Sequence, residues 1–431
     1  ATGDIADDAI TSAKIADDAI TSALIADDAV VTAAIADDAV VTAAIADDAI
    51  TNALMADDAV GVAQLSASGT ASSSTYLRGD NSWATVSTTD TKPFRNLLIN
   101  GACQVNQRGT STGISESGYY GPDHWNFIEE GSIGTWTISQ DTEAPAGFHY
   151  SYKAECTSAN SSLGAGDILS IGQRLEGQDL KHLLKGTSDA VSLTFSFWLK
   201  SSATGTYVVE LYDSDNVRSI GQTISVGNTN WNKYTCTFAG DTSAGDPFTH
   251  DNNASLFAKV WLAAGSDYTS GTLNTSWNNK VDANIAVGQT NVSASTNTVY
   301  FTGWQLEVGS SATDFEYRSY ADDLFRCQRY LYCIKGGTYD RWGYAYADST
   351  ERARAMMFLP TPLRASPTVT TNNFTVNENS GGTTACNYND NLDAGLCEIT
   401  YTHGSGVFSV ANMYQAFFYG GGGYLYLTAE L

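Results

Sequence analysis

The chain has 431 residues, 42% of them hydrophobic, and a formal charge of −25. That length and apolar content allow at least two cores, and so acidic a surface repels phosphate, which argues against nucleic acid as a partner. No apolar run approaches the roughly 18 residues of a membrane-spanning helix and no signal peptide is visible, so no membrane insertion is expected.

Six consecutive decapeptides open the chain. Large apolar residues hold the first and sixth positions of each repeat: Ile5, Ile10, Ile15, Ile20, Ile25, Val30, Ile35, Val40, Ile45 and Ile50, then Met55 and Val60. A spacing of five fits neither a helical face nor a flat strand face. A bend at the paired aspartates is therefore expected, so that both apolar positions point the same way. Fully extended, each repeat would rise up to ~33 Å. Burying two aliphatic side chains per repeat does not offset the entropy of ordering ten backbones within one chain. Identical chains wound about one axis would, which predicts a homo-oligomer, a homotrimer in particular. The first 62 residues hold thirteen aspartates and a single lysine, about half of the net charge. They read as a solvated face, with no metal site and no cofactor expected. The sequence begins at Ala1 inside a repeat-like phrase, which leaves open an N-terminal attachment region before it.

After Val60 the repeat decays into a polar connector ending in the stretch Tyr76 to Trp83. Its Arg78-Gly79-Asp80 tripeptide reads as a turn rather than as a recognition motif. From Phe94 to about Tyr317 short β-type runs alternate with clusters of Gly, Asn, Ser and Asp. Val191, Leu193, Phe195, Phe197 and Leu199 alternate on one face, and the absence of intervening helical patterns points to an antiparallel, jelly-roll-like sandwich. One helix stands out over 319–334, where Leu324, Cys327, Leu331 and Ile334 share a face and Asp322 and Asp323 fall in the first turn. Beyond it the sequence reads as a smaller all-β domain. The expected fold is thus mainly β: a trimeric repeat shaft (1–64), a connector (65–92), a β-sandwich (93–318), a short helical neck (319–334) and a distal β-sandwich domain (335–431).

Seven cysteines are spread without CxxC or zinc-like spacing, consistent with reduced, mostly buried thiols in a chain assembled in the cytoplasm; Cys386 and Cys397 are the one pair placed to bond within a hairpin. The five histidines show no metal spacing either. Sugar recognition needs an aromatic face for the C–H side of a pyranose and amide or carboxylate groups for its hydroxyls. The distal part supplies both: Asp340, Trp342, Tyr344 and Tyr346 share one face if 339–346 is a strand, and Asn387, Asn389 and Asp390 fall in a polar loop. Of these, Trp342, Tyr344, Asp340, Asn387, Asn389 and Asp390 are the candidate ligand contacts. For glycan cleavage, the carboxylate pairs Glu129–Glu130 and Asp213–Asp215 are the nominal candidates, but adjacent strand residues diverge, so no catalytic residue and no enzyme activity is expected.

Several phrases together resemble segments of bacteriophage tail-fibre proteins: the decapeptides, Tyr76 to Trp83, Asn96 to Gly101 leading to Gln107–Thr110, and Asp123-His124-Trp125. So do Gln305 to Gly309 with Ala312 to Glu316, Cys327 to Tyr330, Met356 to Pro367, and the final Ala429 to Leu431. The resemblance runs almost end to end; it departs at His124, where the family pattern has Arg, and near Cys103, where it has a charged or polar residue. It implies a homotrimeric fibre of the virion tail, joined to other tail proteins through its N-terminal side, whose distal tip binds a host-surface glycan or protein receptor. A polysaccharide-cleaving tail spike and a purely structural filament are the alternative readings.

Overall fold

The computed structural model describes residues 94–376 apart from Ala244, then 385–389, 396–403 and 406–431, and toward the N-terminus residues 6, 9–26, 29, 35, 45, 67–72 and 75–85. The chain divides into two compact units, 1–88 and 89–431.

In the first unit the paired aspartates turn the chain, as their small polar side chains favour. Among the described residues, the alanine after the pair donates a backbone hydrogen bond to the alanine before it in three repeats: Ala9 to Ala6 (2.9 Å), Ala19 to Ala16 (3.0 Å) and Ala29 to Ala26 (3.0 Å). At Asp18 the backbone is left-handed, with φ of +62°. A second turn follows in the same repeat, a short 3-10 segment at Ser12–Lys14 and again at Ser22–Leu24. The bend foreseen at Asp-Asp is present, but the extended rise of ~33 Å is not, because each described repeat folds on itself twice. Further on, Thr75–Leu77 pairs with Trp83–Thr85, and the Arg78-Gly79-Asp80 tripeptide sits in the hairpin loop. There Asp80 accepts from the Ser82 backbone N–H (3.2 Å) and hydroxyl (2.6 Å), and Asn81 has φ of +59°. The turn accounts for the tripeptide locally.

The second unit is mainly β, and its larger part is an antiparallel sandwich. One sheet has seven strands in the order Asn278–Asn279, Arg218–Val226, Gly205–Asp213, Ala254–Ala264, Ile168–Glu176, Asn126–Glu130 and Gly118–Tyr119. The other has six: Asn232–Phe238, Leu193–Ser201, Thr298–Val308, Ser151–Ser158, Thr135–Asp141 and Ser111–Ile114. The alternation foreseen at Leu193, Phe195, Phe197 and Leu199 places all four inside. They close on Trp304, whose ring stacks on Trp125 and on Phe301 at 4.6 Å each.

The helix is shorter than expected. Ser319 caps it by accepting from the Asp322 N–H (3.2 Å), and it spans Tyr320–Cys327 only. Leu331–Gly336, read as its second half, is a strand paired with Gly423–Thr428. The apolar spacing suited a helix, but Tyr332, Cys333 and Ile334 are bulky or β-branched types that suit a strand equally, and the ladder with a segment ninety residues downstream decides between them. Nor does the helix stand off as a neck: Gln104 donates to Asp323 at 2.7 Å, tying it to the sandwich.

The smaller β part pairs Leu331–Gly336, Gly423–Thr428 and Thr368–Asn372 in one sheet. A six-stranded sheet has the order Phe374–Val376, Met413–Phe418, Arg341–Ala347, Arg352–Phe358, Leu396–Thr402 and Ala385–Asn389. Its own core gathers Phe374, Tyr401, Phe408, Phe418, Leu425 and Leu427. Buried charge stitches the two parts together. Glu176 accepts from Arg329 (2.7 Å twice) and from the Tyr330 hydroxyl (2.6 Å). Glu430 takes Arg108 at 2.9 Å and lies 2.8 Å from His124 Nδ1, while Arg364 donates to the carbonyl of Asn252 (3.0 Å).

Candidate functional site

Strand Arg341–Ala347 turns alternate residues out of the smaller domain. Ala345 and Ala347 are buried, whereas Tyr344 is 60% and Tyr346 46% exposed. Register sets Tyr346 between Met413 on one neighbour and Arg354 on the other, with Tyr344 opposite Gln415. Arg354 faces Thr400 and forms ion pairs with Glu398 (2.7 Å) and Asp348 (2.6 Å). Two hydrogen-bonded arginines, Arg352 and Arg354, hold the Asp348 carboxyl below the usual carboxylate range. The sheet face thus carries two phenol rings beside a charged pair, flanked by exposed Met356, Phe358 and Met413.

The other proposed contacts are distributed differently. Trp342 was expected on the same face as Tyr344 and Tyr346, yet a bulge between Arg341 and Gly343 shifts the alternation. Its ring stacks on Phe374 at 5.4 Å and, half-buried, packs against the core. Asp340 lies before the strand, where its carboxylate accepts from the Gly337 N–H (2.7 Å) and closes a turn. Asn387 and Asn389 are strand residues rather than loop residues, opposite Thr400 and Glu398. That register brings them to the edge of the sheet that carries Tyr344; their side chains and Asp390 lie outside the described residues. Arg354, Glu398, Met356 and Phe358 were missed, although the alternation of 352–358 carries the signal.

Among the shaft positions, Ile10, Ile15, Ile20, Ile25, Ile35 and Ile45 are 41–59% exposed in the single chain. Ile5, Val30, Val40 and Ile50 lie outside the described residues.

The carboxylate pairs behave as structural groups. Glu129 is buried and Glu130 exposed, diverging as strand alternation requires. Burial raises the Glu129 pKa, and Glu129 is the one carboxylate lining a polar cleft of ≈540 Å³ with Ser132, Thr135, Ser158 and Asn160. Asp213 is held by Lys185 (2.7 Å), and Asp215 accepts from the Thr249 N–H (2.8 Å). Glu129 and Glu130, pointing to opposite sides, do not form the facing pair that glycoside cleavage needs. Among the described residues no cluster of three His, Cys, Asp or Glu could hold a metal ion, and no helix is long and apolar enough to cross a membrane.

Cys103, Cys156, Cys236 and Cys327 are buried and free, and Cys333 is half-buried and free. Burial pushes the Cys236 thiol up to about 12 and the Cys333 thiol up to about 11, far from reactive. The pairing considered for Cys386 and Cys397 fails on register. Cys386 faces Tyr401 and Cys397 faces Met357, so the two lie four ladder positions apart. That is ~14 Å, twice what a disulfide spans.

The middle of the outer face of the seven-stranded sheet is covered. Trp261 donates to Glu210 (2.8 Å), Lys259 pairs with Glu210 (3.1 Å), and all three are buried. Leu273 covers Gly221, where an added Cβ would lie 3.1 Å from it.

No family model matches the chain, and no curated protein does. Among solved structures it is similar to an arabinose-bound α-L-arabinofuranosidase at 12% identity and a TM-score of 0.28, over 56% of this chain and 31% of that one. It is also similar to a family 30 carbohydrate-binding module at 13% identity and a TM-score of 0.24, over 52% and 92% of the two chains. A cyclase from Fischerella sp. TAU matches at 13% identity and a TM-score of 0.26, over 51% and 99%. The chain spans about a third of the arabinofuranosidase, and at such scores these likenesses carry no argument about ligand or activity.

Proposed function

We propose that this chain is a homotrimeric tail fibre of a bacteriophage, assembled in the host cytoplasm, that attaches the virion to the host surface by binding a glycan or a protein receptor. The observation that carries the attachment reading is the outward face of the smaller domain. Tyr344 and Tyr346 stand exposed beside the Arg354–Glu398 pair, the mixture of ring faces, donors and acceptors by which sugars and peptide surfaces are held. Trimerisation is supported by the doubly turned repeats, whose isoleucines find no cover in one chain. Three tips per fibre turn weak single contacts into firm attachment through effective concentration, by ~10²–10⁴. Other tail proteins are the partners on the N-terminal side, and the reading assigns no catalysis.

Adsorption of the purified chain to host cells tests it. Replacing both Tyr344→Ala and Tyr346→Ala is expected to lower cell binding at least tenfold with unchanged melting; undiminished binding overturns this assignment of the contact face.

A further inference from the structure

The outer face of the six-stranded sheet in the sandwich carries rings that neither core uses. Tyr300 pairs in register with Lys153 on one neighbouring strand and with Lys200 on the other. Trp231 immediately precedes Asn232, which faces Leu199, so its ring lies beside Lys200 and 6.1 Å from that of Tyr300, tilted by 59°. Both rings are half-buried, and the inward neighbours Val299, Phe301, Tyr152 and Leu199 fill the core behind them.

Polar groups ring this corner. Glu143 accepts from Lys200 (2.9 Å) and from the Trp231 indole N–H (3.1 Å), and its side chain is 45% exposed. These two hydrogen bonds hold the Glu143 carboxyl below the ordinary range, so it stays an acceptor at neutral pH. Lys153 is shared between Glu155 (3.0 Å) and Asp141 (3.7 Å). Solvent-exposed ion pairs of this kind are weak and exchange readily for other partners. The Lys153 and Lys200 ammonium groups also lie over the Tyr300 ring, 5.9 and 5.6 Å from its centre, so a sugar stacking there takes their place over the ring and keeps them as donors beside it, with Glu143 as acceptor.

We infer that the Tyr300–Trp231 corner is a second glycan site, built for a single neutral sugar residue at a chain end or branch. The tilt decides between one residue and a chain, since rings at 59° to one another form an angle rather than a flat platform. Charge decides between neutral and acidic sugars. Lys153 and Lys200 are outnumbered locally by Asp141, Glu143 and Glu155, on a chain of charge −25. The site belongs to the sandwich and stands or falls apart from the virion reading.

The test uses the whole chain and soluble probes, with tryptophan fluorescence and saturation-transfer NMR as readouts. Methyl galactoside, methyl glucoside and methyl mannoside are the neutral probes, and methyl glucuronide is the acidic one. A ligand of this size is expected to bind with a Kd of about 1 mM. Binding of at least one neutral glycoside should weaken tenfold or more in Tyr300→Ala and in Glu143→Gln, and should be unchanged in Tyr320→Ala, an exposed ring on the helix. Glu143→Gln keeps the volume of the side chain, so its loss of binding is separable from misfolding by an unchanged melting curve. No saturable binding of any neutral glycoside, equal binding by the variants, or tighter binding of the glucuronide would each overturn the assignment.

Discussion

Single residues set the strongest constraints in this molecule, and Glu176 is the clearest. It is buried, which favours its neutral form, yet hydrogen bonds from Arg329 and Tyr330 hold its pKa below the ordinary value. A group depressed in the folded state contributes stability above its unfolded pKa of about 4.5 and loses it as pH falls through the folded value. Glu176→Gln is therefore expected to cost about 2 kcal/mol at neutral pH. The gap from the wild-type chain should close in acid, as urea titrations at pH 7 and pH 3 would read. Gly303 is a second such residue. Its φ is +63°, and a Cβ there would lie 2.7 Å from Phe148 and 2.9 Å from Trp198. Gly303→Ala should lower stability by about 1–3 kcal/mol, measured by thermal unfolding, because strain and overlap act together.

At the scale of elements, alternation was the dependable signal and its interruptions were not. Leu193 to Leu199 gave an inward face from sequence because nothing broke its period of two. Trp342 was misplaced because a bulge adds one residue to one strand and inverts every assignment before it, and the Arg341-Trp342-Gly343 stretch announces this only through its glycine. The helix over-ran for a different reason. The residue types at 332–334 suit a strand as well as a helix, and sequence does not display the partner ninety residues on that decides between them. The candidate contact face was half legible: Tyr344 was named, whereas Arg354 and Glu398 depend on which strands became neighbours. Exposure predicts how the face responds to change. Tyr344→Ala should move stability by no more than about 0.5 kcal/mol. Phe374→Ala, in the core behind it, should cost about 3–5 kcal/mol, and urea unfolding of the two variants compares them directly.

Across the whole molecule, two compact units imply separable roles. Deleting residues 1–88 should leave the 89–431 unit folded, with its near-UV circular dichroism retained, and, on the proposed trimer, native mass should fall from three copies to fewer. A full-length chain that runs as a monomer would remove the basis for trimerisation. One feature of the larger unit bears on mechanics. The segment entering the sandwich is fastened to the segment leaving it: Glu316 accepts from the backbone N–H of Phe94 (2.6 Å) and Asn96 (2.7 Å), and Arg318 donates to the carbonyls of Asn96 (2.7 Å) and Leu98 (3.2 Å). Tension applied along the polypeptide would thus meet this staple before it reached the two sheets. The sandwich would hang beside the line of pull like a bead tied on by a knot, and the staple would be the first part to give.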